Sequence, residues 1–137
     1  MSAAVTVNGI QAAVMISPID TGSIPDLFDN NPDTLVRSDG TSASFTLDLQ
    51  LDQALPTKTV TFALGGMRNF VADLIVKTAD GDQQFSQSFP TAESDQVVVF
   101  TLPSQLAITG LQAAITEQDV PADVQTHIHV RGVDFAP

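Results

Sequence analysis

The sequence predicts an all-β protein, an antiparallel β-sandwich of the jelly-roll type with minimal helix. Two observations predict this class: apolar and polar side chains alternate with a period of two through many short segments, and Pro, Gly, Asp and Ser separate these segments. No long segment shows the period of an amphipathic helix. About eight short strands with such turns fit a single sandwich domain that spans residues 1–137.

The clearest strand is SASFTLDLQL, in which Phe45, Leu47 and Leu49 share one face while polar residues share the other. KTVTFAL repeats the pattern and predicts a second strand. Pro56 lies before it and indicates the end of a connection. We therefore expect two separate strands in this part of the chain.

The second half of the chain continues the strand pattern. VADLIVKTADGDQQFSQSF predicts a hairpin around Asp80-Gly81, a dipeptide whose backbone suits tight turns. QVVVFTLP is continuously apolar and rich in branched residues, which is typical of a strand buried on both faces. GLQAAIT resumes the alternation, and THIHVRGVDFAP predicts the last strand. The one helical turn that we expect is SIPDLFD, where Ser23 can cap and Pro25 suits the first turn.

Charge limits the partners of this chain. Sixteen acidic and five basic residues give a formal net charge of -11. Such a charge repels phosphate backbones and anionic lipid headgroups, so we expect no nucleic acid as a partner and no membrane insertion. The chain has no cysteine, which excludes disulfides, thiolate metal sites and cysteine nucleophiles.

The N-terminal segment lacks the basic start and the long apolar run of a signal peptide. No window has the unbroken apolar length that a bilayer crossing needs. We therefore expect a soluble protein without a signal peptide or transmembrane segment. A virion and an extracellular surface are both compatible locations.

Four segments follow one another in an order that resembles a known family. IPDLFDNNPDTLVRSDG is followed by SFTLDLQL, then by DLIVKTADGDQQF, and finally by HIHVRGVDF. This order, over residues 20–137, resembles the discoidin-like, coagulation factor C-type family of galactose-binding-like jelly rolls, which includes many bacterial carbohydrate-binding modules. Two positions depart from the pattern, since Val36 stands where members often have Trp and Gly132 where many have a calcium-ligating Glu. The chain has no Trp and no Tyr.

The loop LFDNNPDT carries oxygen donors of the kind that calcium prefers, on Asp29, Asn31, Asp33 and Thr34. An EF-hand is excluded, because its glycine position would hold Thr34 and its final glutamate position Gly40. The family resemblance implies a calcium site on Asp29, Asn31 and Thr34. The alternative is that Asp29 and Asn31 accept hydrogen bonds from the backbone of their own loop, as in Asx turns.

The segment HIHVR places His127, His129 and Arg131 on one face of a strand, with Ile128 and Val130 on the other. Two imidazoles at this spacing can share a metal ion, but the sequence indicates no third ligand. A polar stripe that covers the sheet is the alternative. The same trio could also bind a sugar or a partner surface.

The segment LGGMRNF lacks a following helix, which argues against a phosphate-binding loop. It predicts a turn. The family resemblance implies that loops at this end of the barrel bind the ligand, so that Arg68, Asn69 and Phe70 would supply a charge, an amide and a ring. Arg37 is the other cation that we expect near that end.

No catalytic motif is present, so we expect no enzyme and name no catalytic residue. The leading hypothesis is a non-catalytic binding or assembly module that acts through loops and sheet faces. It would be a structural or interaction component of a larger particle, such as a virion tail or a capsid decoration, with protein partners or self-assembly. The alternative is a carbohydrate-binding module or lectin of the discoidin-like type, with a glycan as partner and calcium as a stabilising ion.

Overall fold

The computed structural model describes residues 1–137 as nine antiparallel β-strands and one 3₁₀ turn. The strands are β1 (Ser2–Val7), β2 (Ile10–Ile16), β3 (Ile19–Thr21), β4 (Val36–Ser38), β5 (Ser44–Leu64), β6 (Phe70–Thr78), β7 (Gly81–Phe89), β8 (Gln96–Glu117) and β9 (His129–Ala136). The 3₁₀ turn is Ile24–Leu27. The structure contains no helix with the length and hydropathy that a bilayer crossing requires.

Two long strands, β5 with 21 residues and β8 with 22, run through both layers of the sandwich. Residues 44–50 of β5 pair with residues 110–116 of β8 in the first sheet, whose order is β1-β2-β5-β8-β6-β7. Residues 55–64 of β5 pair with residues 96–108 of β8 in the second sheet, whose order is β3-β4-β9-β5-β8. The expected jelly-roll sandwich is confirmed.

The expectation of two separate strands around Pro56 is wrong. Pro56 lies inside β5, directly after a register shift between Gln50 and Leu55. A bulge of this kind lets one strand bend from one sheet into the other, and it tolerates a residue that has no backbone N–H. The sequence shows two alternating segments, and the chain joins them without a loop.

The alternating side chains form one core of 31 buried apolar residues. Phe45, Leu47 and Leu49 are at most 2% exposed, as the alternation predicts. Phe62 and Phe100 meet edge to face in the second sheet, with their ring centroids 6.2 Å apart. Complete burial of such a side chain contributes roughly 1.5–3 kcal/mol to folding.

The apolar run of β8 is not buried on both faces, which corrects the prediction from its composition. Val97 is 63% exposed and Val99 is 44% exposed. This half of β8 belongs to the second sheet, which packs on the core with its inner face only, so that Val97 and Val99 lie on the open outer face.

The local turns largely follow the sequence. Ser23 donates from its backbone N–H and its hydroxyl to Asp26 Oδ2 at 2.9 and 3.3 Å, which fixes the start of the 3₁₀ turn. The hairpin of β6 and β7 is present, but Thr78 pairs with Gly81. Ala79 and Asp80 are therefore the turn residues, and Gly81 already belongs to β7.

Candidate functional site

A cleft of about 430 Å³ opens at one end of the sandwich, where β5 and β8 end and β6 and β9 begin. Its polar lining residues come from four separate segments of the chain. They are Arg68, Thr91, Glu93, Glu117, Gln125, Thr126 and His127.

The loop after β5 is held in place by its backbone. Met67 and Ala92 exchange two backbone hydrogen bonds of 2.9 Å. Gly66 lies so close to the neighbouring segment that a Cβ atom there would meet Glu93 O at 2.5 Å. Only glycine fits this approach, and the fixed loop presents the next charged side chain, Arg68, to the cleft.

Glu117 is the buried acid of the cleft. It follows Leu111, Ala113 and Ile115 on the inward face of β8, and its side chain is 7% exposed. Arg68 Nη1 lies 3.9 Å from Glu117 Oε2, beyond hydrogen-bond distance. Burial raises the pKa of Glu117, while the backbone amide and the guanidinium of Arg68 act in the opposite direction. Glu117 is therefore a carboxylate with a loose charge partner.

The hydroxyl group of Thr126 is buried and lacks a hydrogen-bond partner. The residue is 4% exposed, and its Oγ1 has no hydrogen-bond partner in the protein. Buried polar atoms are rarely left unpaired, because desolvation then costs about 1–3 kcal/mol. An unpaired hydroxyl beside a polar cleft indicates a place for a ligand.

His127 has a defined tautomer. Its Nδ1 lies 2.8 Å from the carbonyl oxygen of Ser38, which can only accept, so Nδ1 carries the hydrogen. The same nitrogen lies 3.6 Å from Asp20 Oδ2. In the neutral ring, Nε2 is then an acceptor.

Comparison with solved structures places this geometry in a known fold. The family 32 carbohydrate-binding module of Clostridium perfringens NanJ, in complex with galactose, superposes with a TM-score of 0.66 at 12% identity over 98% of each chain. The C-terminal domain of a chitobiase from Bacteroides fragilis gives 0.65 at 10% identity, over 98% of this chain and 97% of that one. The chain has the discoidin-like jelly-roll fold.

A fucosidase from Ruminococcus gnavus, in complex with fucose, gives a TM-score of 0.64 at 10% identity, over 90% of this chain and 25% of that chain. No family model and no curated protein matches the sequence. At these identities the likeness concerns the fold. The comparisons give no support to the expectation of a virion component.

The discoidin-like fold brings only part of the expected ligand-binding set to the cleft. Arg68 and His127 line it together. Asn69 lies beside it, where its side-chain amide donates to Asp119 Oδ2 at 2.9 Å and its Oδ1 accepts from the backbone and hydroxyl of Thr91. Asn69 therefore links its own loop to the loops that carry Thr91 and Asp119.

Phe70 corrects the expectation of a ring that contacts the ligand. It is 1% exposed and stacks on Phe89 with the ring centroids 4.8 Å apart. Its position on β6 alternates with Val71, so its side chain faces the core. The cleft has no aromatic side chain among its lining residues.

Arg37 and His129 lie outside the cleft, as register partners on β4 and β9. Arg37 donates from Nε and Nη2 to the two carboxylate oxygens of Asp20, each at 2.7 Å. Chiefly through this bond, Arg37 lowers the pKa of Asp20 to about 2. Burial, and then the positive charge of Arg37, lower the pKa of His129.

Arg131 lies farther along the face of β9. Its Nη1 donates to the carbonyl oxygen of Pro32 at 3.2 Å, and its Nε lies 3.1 Å from Asp95 Oδ2 without hydrogen-bond geometry. The predicted alternation is confirmed, because Ile128 and Val130 are fully buried. No group of three acidic, imidazole or thiol side chains is arranged to hold a metal ion.

The side chains of the expected calcium ligands form hydrogen bonds within their own loop. Asp29 Oδ1 accepts from the backbone N–H of Asn31 at 3.0 Å, and Asn31 Oδ1 accepts from that of Asp33 at 3.0 Å. Thr34 Oγ1 donates to Asp29 Oδ2 at 2.7 Å. These are Asx turns, the alternative that the sequence left open.

The same loop is a poor fit for calcium. The guanidinium of Arg131 binds one of its carbonyl groups, which puts a positive charge beside any cation held there. Gly132 adds no carboxylate and instead borders an open space of about 290 Å³ with Asn31 and Pro32. The calcium site stays a prediction that the geometry does not favour.

A second depression, of about 450 Å³, lies on the outer face of the first sheet around Met15, Asp48 and Gln112. Its polar groups bond to one another, since Gln112 Nε2 donates to Asp48 Oδ2 at 3.1 Å. None of its lining side chains has a buried polar atom that lacks a partner. The end cleft is therefore the better candidate for a ligand site.

Five polar cleft residues are absent from the sequence prediction: Thr91, Glu93, Glu117, Gln125 and Thr126. A signal existed for Glu117, because an acid that continues the apolar face of GLQAAITE is anomalous. Nothing local marks the other four. Their role depends on the meeting of segments that are far apart in the chain.

Proposed function

We propose that this chain is a non-catalytic carbohydrate-binding module that holds a glycan in the end cleft. The observation that carries the proposal is the buried carboxylate of Glu117, which lies 3.9 Å from Arg68 in an open cleft, next to the unpaired hydroxyl of Thr126. The solved structures with this fold include modules in complex with galactose and with GalNAc-β-1,3-galactose. Those ligands support a glycan as the class of ligand. The geometry of the end cleft supports this cleft as the location of the bound glycan.

The chemistry of the cleft suits sugar hydroxyl groups, which both donate and accept. One hydroxyl can donate to the Glu117 carboxylate and accept from the Arg68 guanidinium, which fills the gap of 3.9 Å between them. A neighbouring hydroxyl can bond to Thr126 Oγ1. Because no aromatic ring lines the cleft, hydrogen bonds supply most of the affinity, and we expect weak binding to a single sugar unit.

A glycan array followed by isothermal titration calorimetry tests the proposal. We expect at least one glycan to bind, and Arg68→Ala to abolish that binding. Lys77→Ala is the matched control, because it removes a cation from the far end of β6. Binding that survives Arg68→Ala, or an array without any bound glycan, would contradict the proposal.

Assembly through protein contacts is a second candidate, favoured by the exposed Val97 and Val99 on the outer face of the second sheet. Sedimentation of the purified chain tests it. Self-association that Val97→Lys abolishes would support this candidate, and a monomer at all concentrations would exclude self-assembly.

A further inference from the structure

The end cleft contains more acidic than basic side chains. Two carboxylates line it, Glu93 at the exposed rim and Glu117 in the interior, and Arg68 is the single lysine or arginine. The Arg68 side chain is 42% exposed, and the Glu117 side chain is 7% exposed. The cation is therefore more solvated than the anion, and the buried carboxylate lies 3.9 Å from the nearest Arg68 nitrogen in the ion pair.

The remaining polar groups of the cleft add acceptors. His127 donates its Nδ1 hydrogen to Ser38, which leaves Nε2 as an acceptor in the neutral ring. Thr126 Oγ1 has two free lone pairs, because it bonds to no protein atom. A ligand that fits this cleft should bring several N–H donors and a positive charge.

We infer that the cleft selects sugars with a free amino group, whose ammonium binds the Glu117 carboxylate. The inference rests on the proposed function and names the class of glycan. An ammonium carries three donors and no acceptor, which suits a buried carboxylate that can only accept. Arg68 then remains available to donate to a hydroxyl on the same ring.

Electrostatics favour the same class at longer range. The net charge of -11 attracts a cationic ligand and repels uronic and sialic acids. Inside the cleft, a sugar carboxylate would face Glu93 and Glu117 and would gain only the half-exposed Arg68. Acidic sugars should therefore bind more weakly than their neutral parents.

Calorimetry with two matched sugar series tests the inference at about pH 7, where a sugar amine is mostly protonated. The first series is galactose, galactosamine, N-acetylgalactosamine and galacturonic acid, and the second is the corresponding glucose set. In one of the series we expect the amino sugar to bind about tenfold more tightly than the neutral parent. Acetylation should remove this gain, and the uronic acid should bind most weakly.

Glu117→Gln and Asp82→Asn separate the local contact from the field of the whole protein. Each variant removes one negative charge, and Asp82 lies on β7 beside the opposite end of β6. We expect Glu117→Gln to abolish the preference for the amine and Asp82→Asn to leave it intact. If in both series a neutral or acidic sugar binds the unmodified chain as tightly as the amino sugar, the inference is overturned and the proposed function still stands. Absence of binding by all eight sugars and by the glycan array would overturn both.

Discussion

Arg68 and Glu117 face each other across the end cleft with 3.9 Å between Nη1 and Oε2, a distance that brings their charges together without a hydrogen bond. The pair joins a loop after β5 to the last residue of β8. Most buried carboxylates have closer partners, because an incomplete pair does not repay desolvation. The gap between these two groups is therefore the feature of the structure that most directly indicates a ligand.

The buried acid should cost stability at neutral pH. The pKa of Glu117 is raised in the folded protein, so the folded state binds more protons than the unfolded state between the ordinary and the raised pKa. The free energy of unfolding therefore falls as the pH rises through this window. We expect Glu117→Gln to raise the melting temperature at pH 7, with a smaller difference at acid pH, as measured by calorimetry. An equal or lower melting temperature at pH 7 would contradict a stability cost of the buried Glu117 carboxylate.

The Asp20–Arg37 pair predicts the opposite pH dependence. The pKa of Asp20 is lowered from 3.8 to about 2, first by the hydrogen bond from Arg37. The contribution of Asp20 to stability is thus present above its unfolded pKa and is lost as the pH falls through the folded value. An NMR titration of the Asp20 carboxyl carbon should show a midpoint near the lowered value. Arg37→Gln should return the midpoint toward 3.8, and an unchanged midpoint would assign the shift to other groups.

The close approach at Gly66 predicts a structural cost that reaches the site. A Cβ atom at this position would lie 2.5 Å from Glu93 O, so Gly66→Ala must displace the segment that carries Glu93. We expect a loss of about 1–3 kcal/mol in the free energy of unfolding, together with weaker glycan binding. Gly132→Ala is the control, because its Cβ would lie 3.8 Å from Leu27 O in ordinary contact. Equal effects of both substitutions in a urea titration would contradict this account.

The loop at residues 29–34 predicts stability without metal. Asp29→Ala should cost about 1–2 kcal/mol, because it removes the acceptors of the Asn31 amide and the Thr34 hydroxyl. Added calcium or a chelator should leave the melting temperature of the unmodified chain unchanged. A rise with calcium that a chelator reverses would instead establish the calcium site on Asp29, Asn31 and Thr34, since an ion held only by the folded state must stabilise it.

The sequence predicts the sandwich well because period-two alternation depends only on which face of a strand is buried. The prediction fails where the burial of a side chain or the bounds of a strand depend on its position in the sheet. Val97 and Val99 belong to an apolar run, yet they lie on the outer face of the second sheet, which is not packed against another layer. Pro56 looks like a break between strands, but a bulge accommodates it within β5. The hairpin between β1 and β2 is absent from the sequence prediction, although its turn residues are Asn8 and Gly9, the usual turn signal. Both residues have positive φ.

The candidate site is only half visible in the sequence. Arg68 and His127 attract notice because cations and imidazoles are rare in this acidic chain. Phe70 attracts the same notice, but the alternation of β6 turns it into the core. Glu117 carries a sequence signal only as an acid that continues the apolar face of β8. Thr126 becomes conspicuous only when its burial and its missing partner are known, because these are properties of the folded chain.

Mapping the bound glycan by NMR tests the central claim most directly. A ¹⁵N-labelled chain would be titrated with a glycan identified on the array, and the changes in backbone amide shifts would be recorded. We predict that the largest changes fall on residues 66–68, 91–93, 117 and 125–127, which border the end cleft. Changes centred instead on Met15, Asp48 and Gln112, or spread over the face of the second sheet, would contradict it.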